Sequence, residues 1–149
     1  MDNRRLIKYM NQLLANACVM STKLLRYYWY PQGARAVNLR QHFYESHLQY
    51  KQLMLDIGER ILAINGKPLA TLAKYLAETT LEEASAEQYL PEMMQQLAKD
   101  YDHIIHDIKS EGIYLANHLH DEQTRQLLIT WLYDLEQQKQ AISAYQVDG

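Results

Sequence analysis

A chain of 149 residues, 48% of them apolar, has material for one domain around one core, and it lacks any apolar run near the roughly 18 residues needed to cross a membrane. Fifteen basic against eighteen acidic side chains give a formal charge of −3, which argues against a generally basic nucleic-acid binder. Five glycines and three prolines leave little turn material, and the lone Cys18 excludes an internal disulfide, so a cytoplasmic protein of long helices is expected.

From Arg4 to about Tyr30 the positions Leu6, Met10, Leu13, Ala17, Met20, Leu24 and Tyr28 recur at spacings of three and four, one face of a first long helix. Cys18 lies in this pattern, where a buried small hydrophobe is expected. The polar start, Met1-Asp2-Asn3-Arg4-Arg5, has no signal-peptide core behind it. Pro31 and Gly33 end the helix, and Asn38-Leu39-Arg40-Gln41 reads as the capping box of a second. Leu39, Phe43, Tyr50, Leu53, Ile57, Ile61 and Ile64 carry its stripe to a left-handed stop at Asn65-Gly66.

Residues 67–84 break the period, with a short apolar-periodic piece from Leu69 to Leu76, which suits a crossover running the length of a bundle and carrying its own small helix. A third long helix is expected from a capping box at Ser85 and Gln88, with Tyr89, Met93, Leu97, Tyr101, Ile104, Ile108 and Leu115 on one side. A fourth runs from Asp121 through Leu127, Leu128, Trp131, Leu135 and Ile142 to near Val147. The sum is an all-α, single-domain four-helix bundle over residues 1–149, with one long connection between its second and third helices.

Twelve tyrosines against one phenylalanine predict amphipathic rings at partly wet helix or subunit interfaces; ligands or one-electron donors beside a metal are the other reading. In Asp100-Tyr101-Asp102-His103-Ile104-Ile105-His106-Asp107, the imidazoles of His103 and His106 share a helical face with carboxylates and form a candidate divalent-metal site; a solvated polar face is the alternative. His118-Leu119-His120-Asp121-Glu122 concentrates donors at a helix start, where Asp121 is expected to cap.

Three landmarks then stand in order: Tyr28-Trp29-Tyr30-Pro31-Gln32-Gly33, Leu39-Arg40-Gln41-His42-Phe43, and Asp56-Ile57-Gly58-Glu59-Arg60 before Asn65-Gly66. Over essentially the whole chain this resembles the Dps family, the small ferritins that oxidise and store iron and shield DNA under stress. The resemblance implies a ferritin-like bundle, a hollow homododecamer, and an iron site between subunits built from two His and an Asp of one and an Asp and a Glu of the other. Carried over residue by residue, those ligands fall on Tyr28, Arg40, Tyr44, Leu55 and Glu59, of which only Glu59 keeps its family identity.

Arg40 matters most among these departures. A guanidinium has no lone pair to donate, and at 4 Å with an effective dielectric near 20 its charge opposes a dication by on the order of 8 kcal/mol. An ion pair between Arg40 and Glu59 in the old metal position is one expectation; a relocated site using His47, Asp56 and Glu59 is another. The resemblance also places Asp121 and Glu122 near an acidic threefold pore, and makes iron the expected metal. DNA contact falls to Arg4, Arg5 and Lys8, about three phosphate contacts per subunit, so binding is expected to be weak and dependent on avidity.

Overall fold

The computed structural model describes residues 2–31, 33–84 and 89–147, and among these every regular element is helical. α1 (Arg4–Trp29) buries Leu6, Met10, Leu13, Ala17, Met20 and Leu24 on its expected face, with Tyr27 rather than Tyr28 at the end of the stripe. Cys18, expected inside, is only half-buried.

α2 (Ala34–Ala63) starts a full turn before the expected Asn38. Gly33 supplies the break with φ 102°, a left-handed value open cheaply only to glycine, and Val37 already donates to its carbonyl at 3.2 Å. Asn38-Gln41 is therefore helix interior and not a capping box. The stop is as expected: Asn65 takes φ 70° and Gly66 N–H bonds back to Ile61 O at 2.8 Å. Asn3 Nδ2 donates to Ile64 O at 2.8 Å, so α2 runs back along α1 as an antiparallel hairpin.

The crossover carries α3 (Leu72–Glu78), capped by Thr71 Oγ1, which accepts from Lys74 N–H at 3.2 Å. Two asparagines of α1 hold this connection. Asn11 Oδ1 accepts from Leu69 N–H at 3.0 Å, and Asn16 Oδ1 accepts from Thr79 Oγ1 and Thr80 N–H at 2.6 and 2.9 Å.

α4 (Leu90–Asp107) follows, and Tyr89, expected on the apolar face, is its extended cap residue and 75% exposed. The capping box at 85–88 lies outside the described residues. Met93, Leu97, Tyr101 and Ile104 are buried as expected. One π turn (Ile108–Gly112) joins α4 to α5 (Ile113–His118). Gly112 lies against the Tyr9 ring so closely that a Cβ would stand 2.5 Å from Tyr9 Cε1. His120, at φ 56°, turns the chain into α6 (Glu122–Val147), which buries Leu128, Trp131, Leu135 and Ile142.

Ion pairs Lys109–Glu136 at 3.6 Å and Lys139–Asp102 set α6 antiparallel to the α4–α5 arm. Three polar clasps then join the two hairpins. Lys23 Nζ lies 2.8 Å from Asp100 Oδ2, Gln138 donates to Gln49, and Arg60 reaches Asp121 Oδ1 at 3.2 Å and Thr124 Oγ1 at 3.0 Å.

The tyrosines divide between the core and the surface. Tyr9, Tyr27, Tyr50 and Tyr101 belong to the core, and burial, the main cause, pushes all four phenols upward. Tyr30, Tyr44, Tyr89, Tyr114 and Tyr133 are exposed.

Candidate functional site

The turn between α1 and α2 places the residues of the resembled iron site. Arg40, on the second turn of α2, leans back over the end of α1: its Cζ stands 4.3 Å above the Tyr28 ring and its Nε donates to Tyr28 O at 3.0 Å. Tyr44, one turn further along α2, packs its ring on Tyr28 with centroids 5.7 Å apart. Tyr28, Arg40 and Tyr44 thus form a cation–π stack. The Nη groups of Arg40 make no hydrogen bond to any described residue.

Leu55 and Glu59 occupy the far half of α2, both exposed, and Glu59 has no hydrogen-bond or ion-pair partner among the described residues. Within one chain Arg40 therefore rests on Tyr28 and not on Glu59. This donor set does not fit a pair of iron ions. Tyr28 faces the guanidinium with its ring, Leu55 has no donor, and Arg40 brings a permanent positive charge and no lone pair.

The relocated set is not gathered either. His47 is buried on α2 with Nδ1 2.7 Å from Ser21 O and 2.9 Å from Ser21 Oγ. A carbonyl only accepts, so Nδ1 carries the proton and this imidazole ties α2 to α1. Asp56 accepts from Gln52 on its own helix at 2.9 Å. Among the described residues no three His, Cys, Asp or Glu side chains come together as a metal site.

His103 is likewise engaged, with Nε2 2.8 Å from Thr80 Oγ1 and 3.2 Å from Asp107 Oδ2, which helps hold the crossover. Asp102 pairs with Lys139, and His106 is exposed one turn from His103. The acidic run thus serves ion pairs and tethers.

Asp121 caps α6 as expected, accepting from Thr124 N–H at 3.0 Å, and also holds Arg60. Burial raises its carboxyl, but the bonds from Thr124 and the charge of Arg60 outweigh it and hold the group below its ordinary value. Glu122 is exposed and accepts from Gln126 and Arg125. At the other end, Arg4 is forked onto Asp2 at 2.7 Å, leaving Arg5 and Lys8 as exposed cations there.

Sequence reasoning missed the Lys23–Asp100 pair, whose side chains are 2% and 4% exposed and whose carboxylate also accepts from Gln96 at 3.0 Å. Its signal was there: Lys23 stands between Met20 and Tyr27 on the buried face of α1. Also missed was a groove of about 550 Å³ between α1 and α3, lined by Cys18, Arg26, Trp29, Leu72 and Leu76 among others. No described helix is long and apolar enough to cross a membrane.

Comparison with known proteins agrees with this architecture. The family profile described as Ferritin-like domain matches residues 7–148. The chain is 32% identical to "DNA protection during starvation protein 2" of Bacillus anthracis over 143 residues, 96% of this chain and 97% of that one. It is also 32% identical to "General stress protein 20U" of Bacillus subtilis, over 96% of this chain and 98% of that one. The crystal structure of Dps from Staphylococcus aureus superposes with a TM-score of 0.93 at 26% identity, covering 98% of both chains.

Proposed function

The chain belongs to the Dps family of ferritin-like proteins, and from that premise we propose a cytoplasmic shell subunit that binds and stores iron and protects the cell under stress without the family's intersubunit iron-oxidising centre. The protective role is supported by relatives named for DNA protection and general stress. The carrying observation for the missing centre is Arg40 stacked 4.3 Å over Tyr28, where the family keeps imidazoles. Iron is cargo on this reading, and its oxidation is left to dissolved oxygen or peroxide.

The experiment follows Fe(II) oxidation under air. Wild type is expected to oxidise Fe(II) no faster than buffer, while the Tyr28→His, Arg40→His, Tyr44→Asp, Leu55→Asp variant gains rate. Rapid saturable oxidation by wild type overturns this part of the reading. The shell itself is tested by size: twelve copies of the 17.5 kDa chain elute at about 210 kDa.

A second reading, a non-enzymatic cage that touches DNA, draws on Arg5 and Lys8, exposed at the start of α1 while Arg4 is held by Asp2. Two or so phosphate contacts per subunit give weak, strongly salt-dependent binding that relies on many copies. A mobility shift that disappears on raising salt from 50 to 200 mM, a range over which such contacts weaken, supports it. No shift at low salt removes it.

A further inference from the structure

Beside the first turns of α1, the π turn helps enclose a polar pocket of about 320 Å³ lined by Arg5, Lys8, Tyr9, Gln12 and Glu111. The four α1 residues follow at steps of three, one and three, which sets them on one helical face. None of the five has a hydrogen-bond or ion-pair partner among the described residues. For exposed Arg5 and Lys8 that is ordinary; for a buried group it is not.

Tyr9 is that buried group. It is 4% exposed, and its hydroxyl is shut off from solvent without a hydrogen-bond partner. Such a hydroxyl carries a desolvation cost that a ligand oxygen would offset. The phenol end lies at the π turn: a methyl on Gly112 would stand 2.9 Å from the hydroxyl, so glycine lets the turn come this close, next to Glu111. Burial first, and then the charges of Asp107 and Glu111, keep the phenol protonated, which makes it a donor at neutral pH.

The pocket thus gathers donors from Arg5, Lys8, Gln12 and Tyr9 around a single carboxylate, Glu111, which only accepts. We propose that it binds inorganic phosphate carrying at least one proton, with Arg5, Lys8, Gln12 and the Tyr9 hydroxyl donating to the ionised oxygens and Glu111 accepting from the P–OH. Arg5 and Lys8 have long, exposed side chains that can close over the ion. The volume left beside it holds several waters at about 30 Å³ each.

Glu111 decides the class of anion. A carboxylate repels a fully ionised oxyanion but accepts a hydrogen bond from one that keeps a proton. Sulfate and the phosphodiesters of a nucleic-acid backbone carry no proton at neutral pH, whereas inorganic phosphate does. A divalent cation fits worse, since one carboxylate would hold it against two positive side chains. Phosphate binding here is separate from the DNA contact considered above, which uses Arg5 and Lys8 but has no place for Tyr9 or Glu111.

Calorimetric titration of the assembled, chelator-treated protein with sodium phosphate at neutral pH provides the test, with sodium sulfate as the comparison. Saturable binding of one phosphate per chain is expected, roughly tenfold or more tighter than sulfate. Tyr9→Phe keeps the ring against Gly112, and it and Lys8→Gln should each weaken phosphate about tenfold. Glu111→Gln should bring sulfate to within about threefold of phosphate.

Circular dichroism checks the fold of each variant. No saturable phosphate binding, equal affinity of the parent for sulfate, or a folded Tyr9→Phe that binds phosphate as well as the parent overturns the inference. Should Tyr9→Phe not fold, unchanged phosphate affinity in Lys8→Gln, at an exposed position, overturns it equally. A chain that binds phosphate as expected but shifts no DNA loses only the DNA reading.

Discussion

Lys23 on α1 and Asp100 on α4 form an ion pair 2.8 Å long that is sealed from solvent at both ends. Removing one partner leaves the other charge buried alone. Lys23→Met is therefore expected to destabilise by about 3–5 kcal/mol, whereas Lys23→Met with Asp100→Leu recovers most of that loss. Urea unfolding of the two variants at fixed protein concentration decides it. A single variant as stable as the parent would show the pair to be unimportant.

Asn16 spends its side chain on the crossover, accepting from Thr79 and Thr80 and donating to Thr80 Oγ1 at 3.0 Å. Asn16→Ala leaves a half-buried amide and two hydroxyls without these partners, an expected cost of about 1–3 kcal/mol. Local opening is the sharper readout. Amide exchange at Thr80 and Leu81 should accelerate while α2 stays protected.

How much of this was legible beforehand differs from element to element. The helical stripes were, because burial enforces the three-and-four spacing in any sequence that folds this way. The start of α2 was not: the local capping pattern at Asn38 competes with Gly33, and the left-handed backbone of Gly33 prevails. The π turn also escaped, since Ile108 and Leu115 stand seven apart and fit an unbroken helix equally well. At the candidate site, residue type alone says that Arg40 and Leu55 bring no lone pair to a metal. That Arg40 rests on Tyr28 could not be read in this way, because the two are twelve residues apart across a turn. Lys23 and Asp100 each showed as a charge on an apolar face, but only the fold reveals that they meet.

Gly112→Ala tests the contact under the π turn. The new methyl meets Tyr9 Cε1 at 2.5 Å, and Tyr9 is a core side chain that cannot simply swing away. A loss of about 1–3 kcal/mol is expected, and Tyr9→Leu in the same chain should recover part of it by making room. Thermal unfolding of the pair measures both.

Asp121 makes stability acid-sensitive. Its folded carboxyl lies below its ordinary value, so its contribution is present above the unfolded value of about 3.9 and is lost as pH falls through the folded one. Asp121→Asn keeps a cap but removes the charge facing Arg60. The variant should lose stability at neutral pH and show a flatter decline below pH 4, where a slope equal to the parent's would contradict the assignment.

His42 acts in a different window. Burial, its main influence, lowers its folded value, so between that value and about 6.5 the unfolded chain binds the proton more readily. Stability from this group falls as pH drops below about 6.5. Replacing it by glutamine should flatten the change in melting temperature between pH 7 and pH 5, and an unchanged slope would assign that change to another group.

The three polar clasps between the hairpins have a consequence for how the chain reaches this fold. Each hairpin joins sequence neighbours and needs no help to find its own register, but docking one on the other could occur at several sliding positions with similar apolar burial. A slip of one helical turn would leave Lys23 and Asp100 enclosed without each other and part Arg60 from Asp121. The clasps thus act as an alignment key: they add little to the strength of correct docking, and they make every misaligned docking expensive enough to come apart again.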